Sequence, residues 1–207
     1  MGGIADEHVE WAVVNRLKAM LDVPPRTKFN VTQSFALFGA ILLWTKQRAW
    51  VPDHALFDPA DRAARAVRIA FEADSIFDAP WLLSRNRPQL AGIHQEGGPR
   101  PENLRVNADF EDMTAAEFLR WLRDALAHGD GRTIKPIHKP KRNGRSLLTG
   151  FEIRATARGD RERLLTLYHA DMKRIGTVLA HKFCKALSGG DRYFEEEAGT
   201  RLIEEAA

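Results

Sequence analysis

The sequence predicts a mainly α-helical domain with a small β-hairpin set into it, and three observations carry that prediction. Apolar residues recur at helical spacing over five stretches, cap and stop residues bound those stretches, and the period changes to extended once, around an Asn-Gly dipeptide. A length of 207 residues suits one domain, taken as 1–207. The content of 44% hydrophobic and 29% charged residues is that of an ordinary globular chain, which excludes a collagen-like or disordered class.

The first helix is expected over Asp6–Leu21, where Val9, Val13, Leu17 and Leu21 fall at steps of four and Pro24-Pro25 forbids continuation. A second, from about Thr32 to Trp50, is so dense in Phe35, Leu37, Phe38, Ile41, Leu42 and Trp44 that it reads as the central core helix. Asp58-Pro59-Ala60-Asp61 resembles an N-cap followed by a first-turn proline. The helix it opens is expected to reach Phe77, with Ala63, Val67, Ala70 and Phe71 inward and Arg62, Arg65 and Arg68 outward.

A short helix around Trp81 and then a long surface loop are expected between Pro80 and Phe110, which Pro88, Gly92, Gly97-Gly98-Pro99 and Pro101 interrupt. Thr114-Ala115-Ala116-Glu117 has the form of a capping box, and Gly129 suits a left-handed helix stop. Two extended runs, Thr133–His138 and Leu147–Ala155, flank Lys141-Arg142-Asn143-Gly144 and predict a hairpin over about 132–156, with Pro136 on an edge. A last helix is expected over Asp160–Leu187, ended by Gly189-Gly190, with an acidic tail from about 191 that includes Glu195-Glu196-Glu197. Trp44, Trp50, Trp81 and Trp121 read as core or interface aromatics.

Charge and cysteine usage narrow the function classes. The longest apolar run, Phe35–Trp44, is half of the roughly 20 residues that a membrane span needs, so no membrane association is expected. Cys184 is the only cysteine and no signal peptide opens the chain, which fits a reducing cytoplasm. The net charge of +3 is small, but Arg132, Lys135, Lys139, Lys141, Arg142 and Arg145 crowd one window together with His138. That basic hairpin is a candidate guide for an RNA backbone; a solvated loop is the plainer reading.

The stretch Arg120–Asp130 sets polar residues of catalytic type into an apolar helix. Arg123 offers a planar fork for phosphate and His128 a ring that exchanges protons near neutrality. Five residues on an ideal helix separate them by roughly 140° and about 7.5 Å of rise. Their convergence therefore requires a bend at Gly129 or a partner from a second subunit. The plainer reading is a solvated arginine and a histidine attracted to the helix C-terminus. No His-Glu-x-x-His, Cys-x-x-Cys or phosphate-loop pattern is present, so neither a metal nor a nucleotide cofactor is expected.

Arg123-Asp124-Ala125-Leu126-Ala127-His128-Gly129 resembles the R-x4-6-H signature of the HEPN superfamily, with Asp124 at a position usually Asn, Asp or His. The order of helices before and after the motif is similar, and the hairpin resembles an insertion of some plasmid- and prophage-borne members. The resemblance spans about Val31–Leu187 in architecture but seven residues in motif. It implies a HEPN-like helical bundle that forms a homodimer through the motif helix, and a metal-independent endoribonuclease. Its chemistry would be attack of the RNA 2′-hydroxyl on phosphorus, with catalytic roles for Arg123, His128 and Asp124. A toxin or phage-defence role with an antitoxin partner follows from the same resemblance, as does the alternative of a catalytically silent nucleotide- or protein-binding module. Asp130 stands where some members carry a tyrosine modified with AMP, which argues against that route of regulation.

Overall fold

Helices α2 (Asn30–Ala49) and α5 (His169–Leu187) form the centre of the bundle; each packs on α1 (Val9–Asp22) and on α3 (Pro59–Phe71). A fifth helix, α4 (Ala115–Ala127), lies against α2 and α3. A computed structural model describes residues 9–23, 28–86, 105–140, 146–156 and 161–188; the hairpin tip at 141–145, most of the expected surface loop and the acidic tail lie outside the described residues. Among those described, no helix is long and apolar enough to cross a membrane.

Phe38, Ile41 and Leu42 of α2 meet Met172, Ile175, Leu179 and Phe183 of α5 in a core where all seven side chains are buried. Removing such side chains from water stabilises the fold by about 1.5–3 kcal/mol each. The helices approach so closely that a Cβ at Gly176 would press on Leu21 at 2.6 Å and Phe38 at 3.2 Å. A larger residue there would force the Leu21 and Phe38 side chains to shift.

Helix phases differ in places from the sequence expectation. In α1 the buried residues are Trp11, Ala12, Val14 and Leu21, while Val9 is exposed, because Trp11 gives the larger apolar payload and rotates the face toward itself. The coverage of α2 is partial, with Leu43 exposed. Asp58 caps α3 as expected by accepting from the Ala60 N–H at 2.7 Å, but the helix stops at Phe71 instead of Phe77. Its inward residues are Asp61, Ala64 and Phe71; Ala70 is exposed, and Arg65 and Arg68 are half-buried. No helix forms at Trp81. Turns carry that fully buried ring instead, edge-on to Phe71 at 4.8 Å, with its Nε1–H donated to Asp74 at 2.9 Å.

The largest departure is a third strand. Strands β1 (Ile134–Pro140), β2 (Ser146–Thr156) and β3 (Glu162–Tyr168) form an antiparallel sheet in the order β1-β2-β3, and α5 begins only at His169. Leu164, Leu167 and Tyr168 carry a helical spacing, yet Leu165, Thr166, Leu167 and Tyr168 are all buried. A strand covered on both faces presents such a continuous run, which periodicity cannot distinguish from a buried helix. The sheet's inner edge is closed by fully buried Asn107, whose Oδ1 accepts the Thr166 N–H at 2.8 Å and whose Nδ2 donates to the Thr166 carbonyl at 3.1 Å. Pro136 lies on the outer strand β1, where its missing N–H costs no ladder bond.

Candidate active site

The site is built on the outer face of α4. The Thr114 hydroxyl accepts the Glu117 N–H at 3.2 Å and the Glu117 carboxylate accepts the Thr114 N–H at 2.9 Å, the reciprocal pair expected from the sequence. From that fixed start, Phe118, Leu119, Trp121, Leu122 and Ala125 turn inward. Phe110 meets Phe118 and Trp121 edge-to-face at 5.3 and 4.7 Å, which sets the rotation of the helix. Arg120, Asp124 and His128, spaced by four, therefore share the opposite face, and Arg123 lies beside them.

His128 is the C-cap, with φ −110° and ψ 2°, and its N–H still bonds to the Asp124 carbonyl at 3.1 Å. The imidazole is thus kept one turn beyond Asp124. Gly129 follows, but not in the left-handed conformation expected of it. Its role is space: a Cβ there would collide with Ile134 Cδ1 and the Ala125 carbonyl. The close approach folds β1 back onto the end of α4, where the Ile134 N–H donates to the Asp130 carbonyl at 2.8 Å. In turn the Arg154 N–H donates to the Thr133 carbonyl at 2.8 Å and carries the far end of β2 to the same place.

The result is a cleft of about 670 Å³ whose lining includes Arg123, Asp124 and His128 together with Lys46, Arg120, Trp121 and Arg154. Arg123 and His128 thus face one cavity within a single chain. Asp124 and His128 are four apart on the helix, and the Arg123 side chain reaches sideways to Asp124, which its Nη1 meets at 2.8 Å, so the roughly 140° between Arg123 and His128 does not keep them apart. Arg123 and Asp124 are half-buried and His128 is exposed.

Four cations and one carboxylate make the cleft a receptor for anions. Lys46 and Arg120 form no ion pair among the described residues, and Arg154 reaches only Glu162, at 3.4 Å on the surface. Burial pushes the Lys46 ammonium below its ordinary range; Arg123 and Arg120 push the same way and Asp124 opposes them. Lys46, Arg120 and Arg154 were not singled out from the sequence. Arg120 was accessible there through its four-residue spacing to Asp124, whereas Lys46 and Arg154 reach the cleft only through tertiary folding.

Thr133 and Arg154 of the hairpin line the cleft, but Arg132, Lys135, His138 and Lys139, the described residues of its basic window, do not. Lys135, His138 and Lys139 are exposed along β1, which leads away from Thr133 at about 3.3 Å per residue. Arg132 is held in its own turn by Asp130, at 2.8 and 2.6 Å, and that ion pair holds the Asp130 carboxyl down at about 2. Lys141, Arg142 and Arg145 lie outside the described residues. Among the described residues, no group of three or more His, Cys, Asp or Glu side chains is arranged to hold a metal ion. Compared with protein-family models, curated proteins and solved structures, the chain matches none of them.

Proposed function

We propose that the protein is a metal-independent endoribonuclease of the HEPN kind. One observation carries the reading: Arg123, Asp124 and His128 line a single cleft in which cations outnumber carboxylates. A phosphodiester fits that balance of charge, and an exposed imidazole beside it has ring nitrogens that can accept and donate a proton. In the reaction, the RNA 2′-hydroxyl loses its proton and its oxygen bonds to the adjacent phosphorus. The bond from phosphorus to the 5′-oxygen breaks, and that oxygen takes up a proton. The products are a 2′,3′-cyclic phosphate and a 5′-hydroxyl.

His128 serves in proton transfer, Arg123 neutralises charge that builds on the equatorial oxygens, and Asp124 orients the Arg123 guanidinium. Each turnover moves two protons, and each chain contributes one imidazole to the cleft. A homodimer that apposes two α4 helices through their exposed Arg120 and His128 would supply the second. Lys135 and Lys139 on β1 extend the positive surface along which RNA approaches.

Purified protein incubated with mixed RNA in EDTA is expected to yield fragments with those ends. Arg123→Ala should lower the rate by about 10²–10³-fold and His128→Ala by about 10²–10⁴-fold. Cleavage that persists in both variants, or RNA binding without cleavage by the wild type, discards the enzymatic reading; the second outcome identifies a binding module instead. Growth arrest on expression, abolished by His128→Ala and relieved by an antitoxin encoded beside it, is the expected sign of a toxin role.

A further inference from the structure

We propose that Lys46, Trp121 and Arg123 form a phosphate seat on the α2–α4 wall of the cleft, in which Trp121 Nε1–H and Arg123 Nε–H donate to a phosphate oxygen and Lys46 supplies the countercharge. The inference rests on the phosphodiester reading of the cleft and adds two residues, one aromatic and one from another helix, that the Arg-His motif does not contain.

Three observations meet at this wall. Trp121 is only 2% exposed and lines the cleft, yet its Nε1–H has no acceptor. By contrast, the fully buried Trp81 donates its Nε1–H to Asp74 at 2.9 Å, so the fold supplies an indole acceptor where one is structural. A buried donor without a partner is costly, and an oxygen bound in the cleft would recover that loss. Secondly, Arg123 gives Nη1 to Asp124 while its buried Nε–H has no acceptor. The carboxylate therefore holds one arm of the guanidinium and leaves another donor for a ligand. Lastly, Lys46 lines the same cleft, forms no ion pair among the described residues and lies in the field of Arg123 and Arg120, which Asp124 offsets only in part.

A cation kept near two arginines and a single carboxylate gains from a further anion, and a tetrahedral phosphate is the oxyanion that nucleic acid offers. Neutral indole and charged ammonium have different parts in the seat. The indole fixes direction, since it has a single N–H, and the ammonium contributes charge with little directional demand.

The test uses the full chain and inorganic phosphate as probe. The five tryptophans give five indole N–H resonances, and the one that Trp121→Phe removes belongs to Trp121. On phosphate addition that resonance is expected to move while the other four stay in place. Lys46→Ala should weaken phosphate binding at least about tenfold, as loss of a charge-assisted hydrogen bond does, with Lys46→Arg retaining most of the affinity. Trp121→Phe, which keeps an aromatic ring in the core, should weaken it several-fold. A stationary Trp121 resonance, undiminished affinity in Lys46→Ala and Trp121→Phe, or no phosphate binding by the wild type each overturns the seat. RNA cleavage at the wild-type rate in both variants overturns it too while sparing the ribonuclease reading. Phosphate binding that depends on both residues, in a protein that cuts no RNA, upholds the seat and removes that reading.

Discussion

Lys46 and Arg48 stand two residues apart in the last turn of α2, and their surroundings are opposite. Arg48 is enclosed by acids: Nε meets Glu10 at 2.6 Å, and Nη1 meets Asp61 at 2.5 Å and Asp58 at 3.4 Å. Burial alone would lower its pKa, but the hydrogen bonds it donates to Glu10 and Asp61, with their charge, outweigh burial and raise it. Burial moves the Lys46 pKa down; Arg123 and Arg120 push the same way, and the one nearby carboxylate among the described residues, Asp124, opposes them. Side chains two apart on a helix point about 200° from one another, so one turn of backbone serves both a structural ion cluster and the wall of the cleft. The difference shows what each cation is for. A charge matched by carboxylates ties α1, α2 and α3 together, whereas Lys46, with two arginines and one carboxylate about it, keeps an excess of positive charge that the proposed phosphate ligand would match.

Arg48→Ala probes the matched side most severely. It strands Glu10 and the nearly buried Asp61, and the expected loss is about 2 kcal/mol, between the cost of an exposed and of a buried pair. Urea denaturation measures it, with phosphate binding in the cleft unchanged. Stability equal to that of the wild type would show that the cluster at Arg48 holds nothing together.

Arg120→Gln probes the unmatched side, and the expected outcome reverses. The change in stability should stay within about 0.5 kcal/mol, as for most surface substitutions. RNA affinity should fall, and the slope of log affinity against log salt should become shallower by about one. A large loss of stability with an unaltered salt slope would place Arg120 with Arg48 among the structural cations and dissolve the contrast.

What could be read from the sequence follows the same division between local and long-range determinants. The capping box at Thr114, the N-cap at Asp58 and the edge position of Pro136 each depend on a few neighbouring residues, and each holds in the structure. The third strand was hidden because Leu164, Leu167 and Tyr168 match a helical period, and only packing on both faces of Glu162–Tyr168 distinguishes the two conformations. At the site, Arg123, Asp124 and His128 were visible as chemistry on one helix. Lys46 lies 77 positions before Arg123 in the chain and Arg154 reaches the cleft through the β1–β2 pairing, so no local pattern marks either. The Trp121 indole looked like any core aromatic; its lack of an acceptor is a property of the folded surroundings alone.

His169 gives the finest test, because it combines both kinds of surroundings in one side chain. Its Nε2 lies 2.9 Å from the hydroxyl of buried Ser34, a neutral contact that ties α5 to α2, while Lys173 one turn away is a like charge. Burial, and then Lys173, lower its pKa from 6.5, so folding weakens its hold on a proton. The unfolded chain is then protonated first as pH falls. The stability contributed by the neutral ring is fully present above 6.5 and is lost as pH falls through that value toward the lower folded pKa. Urea midpoints measured across this range should decline more steeply for the wild type than for His169→Gln. The other six histidines are common to both proteins, so the difference between the two curves isolates this ring. Identical slopes would show that the Ser34 contact and the Lys173 charge leave its proton affinity untouched. A steeper decline in the wild type, with RNA cleavage of both proteins alike, would make His169 a cation excluded by its surroundings for structural reasons, in contrast to Lys46, whose like-charged neighbours face an open cleft.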